Sequence, residues 1–335
     1  MSSVTAVAPD APGADQDLRV PLRERLASQV QRRGALVVLV LVVVVASLTS
    51  STFATSSNVG SILGNNAFVW LLALGMTFVI ITGGIDLSVG SMYALGGVLA
   101  AEGSRAGTWA ALLLPLAVGA AWGTVQGLLV ARARMAPFIV TLAGLLGARG
   151  LLQALTDEGS TTFLVPKDSF FRRFGDGTWV PVLIVVVLFA AGALLLTRTR
   201  FGATLTAMGG NENAALLMGL PVARAKTLVY VLSGTLSAGA GALAASRLGS
   251  GVTTIGVGYE LTAIAAVVIG GTLLTGGSGS VAGTVSGVLL LAVIHNLIDH
   301  YFSQYGSAFT DTVNGAFLAV VVLLQTLLSR TQQLP

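Results

Sequence analysis

The chain has no cysteine, two histidines and few charges. Without cysteine there are no disulfides and no thiolate metal sites. His295 and His300 alone do not make a conventional zinc site. Only 10% of the 335 residues are charged, against about 25% in soluble domains. No G-x-x-x-x-G-K-[ST] loop is present, so the sequence has no phosphate cradle for ATP chemistry. The richest glycine cluster, Gly276-Gly277-Ser278-Gly279-Ser280, has no lysine after it and reads as a tight turn with close helix packing.

Apolar residues make up 54% of the chain, and mean hydropathy is +0.86. This composition predicts an all-α polytopic membrane protein. Net charge is +4; in a membrane chain that reads as basic loops on one side, with no implication of nucleic acid. Stretches of about 20 apolar residues cross a bilayer. Ten spans are expected, at 35–54, 62–82, 88–101, 109–130, 137–155, 180–197, 227–247, 261–275, 281–299 and 311–329. Three of them (88–101, 137–155 and 261–275) are short, glycine-rich or interrupted by Arg149, and are expected inside the bundle.

The first 34 residues are polar, with Pro9, Pro12, Pro21 and five arginines. No convincing cleavage site follows, so a cytoplasmic tail is expected before a membrane domain at 35–330. With both termini cytoplasmic, the inner side receives twelve cations, among them Arg132, Arg134, Arg198, Arg200, Arg224 and Lys226. The outer side receives five: Arg105, Lys167, Arg172, Arg173 and Arg247. That asymmetry follows the positive-inside rule. Two longer connections remain, 156–179 outside and 198–226 inside.

Between Leu72 and Gly97 an apolar stretch runs into Thr82-Gly83-Gly84, meets Asp86, and resumes through small residues. Irregular backbone at membrane depth survives only against protein or a watery cavity, and a carboxylate there is a functional candidate. Two roles fit Asp86: a cap on the N–H groups of Ser88 and Val89, or a pathway residue. Thr82-Gly83-Gly84 recurs as Thr275-Gly276-Gly277, which fits either an old duplication or chance in a glycine-rich chain.

The inner connection contains GGNENAALLMGLP. Gly209-Gly210 is expected to break the chain, with Asn211 capping a short helix from Glu212 to Met218. Gly219 would end that helix and Pro221 keep it from resuming. Such a helix is either an interfacial connector or a docking element for a cytosolic partner.

GMTFVIITGGIDLSVGSMYALGG, PFIVTLAGLLGARGL, GGNENAALLMGL, VYVLSGTLSAGAGALAASRLGS and GYELTAIAAVVIGGTLLTGGSGSVAGT occur in that order. They resemble the permease subunit of ribose-type ABC sugar importers over roughly residues 35–328. The resemblance implies a ten-helix, non-catalytic subunit in the lipid of the bacterial inner membrane, paired with a second copy around a central path. It implies a monosaccharide of ribose or xylose type, delivered by an extracytoplasmic sugar-binding protein. Movement would be by alternating access, driven by a cytosolic ATPase that binds the ATP and magnesium; no cofactor is expected here. Asn211, Glu212, Ala214, Met218 and Gly219 would then belong to the coupling helix that docks on the ATPase.

Polar residues within spans are the pathway candidates: Asn65 and Asn66 opening the second helix, Asp86 and Ser88 at its break, Thr141 on the fifth, and His295-Asn296 interrupting the ninth. Each is also suited to an interhelical hydrogen bond. Many members of the resembled family have asparagine at the position of His295. Arg149 is expected to anchor the outer mouth against a carboxylate such as Asp157. Two other classes stay open: a related permease for branched-chain amino acids or nucleosides, and a secondary transporter using Asp86 as its ion site.

Overall fold

The computed structural model describes residues 22–306 and single positions between 309 and 319. The expected span at 311–329 lies almost wholly outside the described residues, as do residues 1–21 of the tail. Eleven α-helices are described: α1 Leu22–Thr49, α2 Ser56–Ile81, α3 Val89–Gly103, α4 Thr108–Ala131, α5 Pro137–Leu155, α6 Trp179–Arg198, α7 Arg200–Gly210, α8 Glu212–Leu217, α9 Val222–Leu248, α10 Tyr259–Ile269 and α11 Val281–Phe302. No strand occurs among the described residues. The polar region before residue 35 is already helical from Leu22.

Among the described residues six helices are long and apolar enough to cross a membrane: α2, α4, α5, α6, α9 and α11. The apolar part of α1 (Gly34–Thr49) and α10 are shorter, and α3 has 15 residues. Of the expected short spans, 88–101 and 261–275 correspond to the short α3 and α10, while 137–155 is the full-length α5. The short ones need little lipid contact of their own, because α3 and the inner face of α10 are buried.

Local chemistry sets the helix ends. Thr55 caps α2 by accepting the Asn58 N–H at 3.3 Å. Pro137 opens α5, where its missing N–H costs nothing. Gly249 ends α9 in the left-handed region at φ 74°.

The bundle is built around α9, which lies against α4, α3 and α2 through small residues. A Cβ on Gly123 would fall on the Tyr230 carbonyl, and one on Gly119 on the Gly234 carbonyl. On α3, Gly96 meets Ala238 and Gly97 meets Gly241 in the same way. Backbone approach of this kind is how membrane helices gain packing energy where lipid supplies no hydrophobic drive. The outer faces of α1, α5 and α6 expose Leu41, Leu48, Ile139, Leu146, Leu183 and Leu194, as lipid contact requires.

The helix ends also sort the cations. Arg132 caps the end of α4, and Arg198 and Arg200 flank the α6–α7 corner. Arg224 and Lys226 start α9 on that same side, here called the α8 end. The opposite end carries residues 156–179, where a short 3₁₀ turn, Phe170–Phe174, lies against the end of α9.

Three local expectations change. Asn65 and Asn66 lie well inside α2, which starts earlier, at Ser56. His295-Asn296 do not interrupt α11, which is continuous from Val281 to Phe302. Gly209-Gly210 form the last turn of α7, and the break comes one residue later, at Asn211.

Candidate functional site

After α2 ends at Ile81, Thr82 and Gly83 turn the chain, with Gly83 at φ 75°. The backbone then runs through Asp86 to the first turn of α3. Asp86 is fully buried. Its Oδ1 accepts the Ser88 amide at 3.0 Å and the Ser88 hydroxyl at 2.6 Å. Its Oδ2 accepts the Ser233 hydroxyl of α9 at 2.7 Å. The N-cap position of α3 is Ser88, and Asp86 braces it from two residues upstream. Of the two amides expected on this carboxylate, Ser88 is bonded; no bond from Val89 appears among those described.

Among the described residues no cationic side chain pairs with Asp86; three hydrogen-bond donors face it instead. Desolvating a carboxylate costs several kcal/mol unless it is paired or well hydrogen-bonded. A position kept at that expense is a functional candidate.

The cluster continues into neighbouring helices. Gln126 on α4 places Oε1 3.3 Å from Ser88 Oγ, while its buried Nε2 has no partner. The Ser88 proton is committed to Asp86, so the productive arrangement turns the amide over, with Nε2 donating to Ser88 Oγ. The same turn puts the amide oxygen beside Gly144, where the unpaired Trp122 Nε1 also points. Tyr230 Oη is buried without a partner and faces Gly84, where an added Cβ would lie 2.7 Å from it. The Thr141 hydroxyl on α5 is shared between the Pro137 carbonyl of its own helix at 2.9 Å and the Ile85 carbonyl at 3.2 Å, which sets α5 beside the break. Asp86, Ser88 and Thr141 are thus brought together, and Gln126, Tyr230 and Ser233 join them.

The other pathway candidates lie elsewhere. Asn65 Oδ1 accepts Arg247 Nη2 at 3.0 Å, and Arg247 also donates to the Gly64 and Gly177 carbonyls at 3.3 Å. Asn66 donates back to the Ile62 carbonyl at 2.8 Å within its own helix. Asn296 and Asn58 exchange two amide hydrogen bonds, 3.1 and 3.0 Å, across α11 and α2. His295, the residue before Asn296 on α11, is half-buried. Arg149 donates to the Thr253 and Ile255 carbonyls at 2.7 and 3.3 Å. It is bonded to backbone there, and no bond to Asp157 appears. A guanidinium with several donors is well satisfied by two convergent carbonyls.

At the α8 end, Asn211 is the N-cap of α8, its Oδ1 accepting the Ala214 N–H at 3.0 Å. Glu212 stands in the first turn and accepts Lys226 Nζ at 2.6 Å. Gly219 follows at φ 75°, and the Leu220 N–H returns to the Ala215 carbonyl at 3.1 Å. The result is a fixed short helix with Ala215 buried beneath it. Leu216, Leu217 and Met218 are 48%, 90% and 71% exposed, and Ala214 is exposed with them. An apolar tip this open on a capped helix needs a partner surface or lipid interface.

A helical membrane bundle with a broken helix, a buried acid at the break and a presented helix at one end defines a transport permease. The chain belongs to the family described as the branched-chain amino acid transport system / permease component, whose model matches residues 58–328. It is a multi-pass protein of the bacterial inner membrane. It is 40% identical to the ribose import permease protein RbsC of Bacillus subtilis over 300 residues, 88% of this chain and 92% of the relative. Against the ribose import permease protein RbsC of Escherichia coli (strain K12) it is 39% identical, covering 90% and 94%. Against the fructose import permease protein FruG of Bifidobacterium longum it is 36% identical, covering 87% and 89%. No solved structure matches the chain.

Proposed function

We infer that this chain is the membrane permease of an ATP-binding cassette importer for a monosaccharide of ribose or xylose type. Its relatives are named as ribose, fructose and allose transport permeases, which supports a sugar importer. The observation that carries the cycle is the capped α8 helix with its exposed Leu217 and Met218. It fits a groove on a cytosolic ATPase in the helix-in-groove mode. The ATPase supplies nucleotide and magnesium chemistry, and this chain supplies none.

In this reading the α8 end faces the cytoplasm, in line with its arginines and lysine. An extracytoplasmic sugar-binding protein delivers solute at the opposite end, and two permease copies enclose the path. Asp86 and Ser88 hold the break of the α2–α3 unit, and Thr141 fixes α5 to it. The arrangement alternates between outward and inward access because the ATPase binds the two states with different affinity.

Reconstitution tests the reading. The purified permease should hydrolyse no ATP. Vesicles with the ATPase and binding protein should show sugar-stimulated ATP turnover and uptake. Stimulation by branched-chain amino acids or nucleosides instead would reassign the solute. The lone buried carboxylate also permits a secondary transporter, which predicts uptake driven by an ion gradient in ATP-depleted vesicles.

A further inference from the structure

Three segments distant in sequence meet directly behind α8. The Gly277 N–H donates to the Ile81 carbonyl at 2.9 Å, joining the turn before α11 to the last residue of α2. Gly209, in the last turn of α7, lies against both: a Cβ there would fall on the Ile81 carbonyl and the Gly277 nitrogen. Gly276 completes the contact, its Cβ position 2.7 Å from the Gly83 nitrogen and 3.0 Å from the Gly209 carbonyl. Gly83, Gly276 and Gly277 all sit at positive φ, between 75° and 87°. The two Thr-Gly-Gly motifs thus touch each other, and α7 is pressed onto the place where they touch.

We propose that this junction is the transmission element of the permease: a rigid block through which displacement of α8 reaches both the α2–α3 break and the α10–α11 turn. The proposal rests on the importer reading of α8. One residue, Asn211, separates α7 from α8, so movement of the docking helix is movement of Gly209. On the far side, Ile81 is five residues from Asp86 along the break, and Gly277 is four from the start of α11. Backbone packed on backbone, with no side chain between, has little room to absorb a push. A side-chain contact would yield by changing rotamer. This one passes displacement on. Gly209, Gly276 and Gly277 are positioning residues, acting on the pathway through the elements they hold.

The experiment uses the reconstituted permease, ATPase and binding protein in vesicles, and measures sugar transported per ATP hydrolysed. Gly209→Ala should leave ATPase association at the wild-type level and lower transport per ATP about tenfold, the size of an ordinary coupling between sites. Gly210→Ala, whose Cβ meets nothing within 4 Å, should match wild type. Hydrogen exchange on the wild-type complex gives an independent measure. The segment 272–280 should stay protected in both the nucleotide-free and the ATP-bound complex. Wild-type transport per ATP in Gly209→Ala, or loss of that protection in either state, overturns the proposal. If Gly209→Ala does not assemble, the exchange result decides alone. Absence of sugar-stimulated turnover in the wild-type complex would instead strike the importer reading.

Discussion

The Ser233 hydroxyl donates to Asp86 Oδ2 at 2.7 Å, across a sequence separation of 147 residues. It fastens the broken segment between α2 and α3 to α9, about 16 Å along that helix from its start by the helical rise. The break is therefore held at depth in the bundle by side chains, where lipid offers no hydrogen bonds.

Asp86→Ala removes the acceptor of the Ser88 amide and of the Ser233 hydroxyl in a buried site. Each unpaired group costs about 1–3 kcal/mol. Thermal unfolding in detergent should shift down by several degrees, with membrane insertion intact and uptake largely lost. Wild-type uptake by a normally assembled variant would reduce Asp86 to a structural brace.

The reciprocal amide pair of Asn58 and Asn296 should behave as an interhelical bond. A double-mutant cycle to alanine should give a coupling of about 0.6–1.7 kcal/mol, the range met in membrane helices. Zero coupling would mean the two amides act separately.

Gly241→Ala puts a methyl on the Tyr93 carbonyl. Overpacking of this kind costs about 1–3 kcal/mol, so unfolding of the purified permease should occur earlier. Gly150→Ala, with nothing within 4 Å, should unfold like wild type. Equal stability of the two variants would contradict the tight α3–α9 seam.

The docking surface is tested without touching the bundle. Leu217→Asp places a charge on a side chain that is 90% exposed, so permease stability should hold while ATPase binding weakens about tenfold or more. Gly219→Val strains a residue at φ 75°, and Glu212→Lys opposes Lys226. Both should weaken ATPase association and lower transport per ATP. Unchanged assembly and transport in all three would make α8 a passive connector.

Long apolar stretches bounded by turn residues were readable directly. The expected 137–155 coincides with α5, and 180–197 differs from α6 by one residue at each end. α8 was legible because Asn211, Gly219 and Pro221 each have a specific backbone reason for their position. The start of α2 was missed because its first turn, Ser56-Ser57-Asn58, is too polar to count as membrane, although the helix is already formed there. For Arg149 the sequence suggests a carboxylate, because charge pairing is visible there and the carbonyl geometry that actually holds it is not. Ser233 and Tyr230 were hidden in a stretch of small residues, since nothing local says which face of α9 meets Asp86. Gln126 did leave a signal: an amide alone in the apolar run of α4.

The helix at the centre of this bundle is the least hydrophobic of the six that are long and apolar enough to cross the bilayer. α9 has a mean hydropathy of 1.5, against 2.8 for the lipid-facing α6; its Ser233 bonds Asp86 of the break, while Ser237 and Ser246 bond carbonyls of α9 itself. The ribosome delivers α2, α3 and α4 before it, so the carboxylate and the glycine grooves that receive α9 are already in the membrane when it emerges. The order of segments along the gene is thus also an assembly schedule, in which the least hydrophobic long strut arrives last among its partners and is drawn in by them.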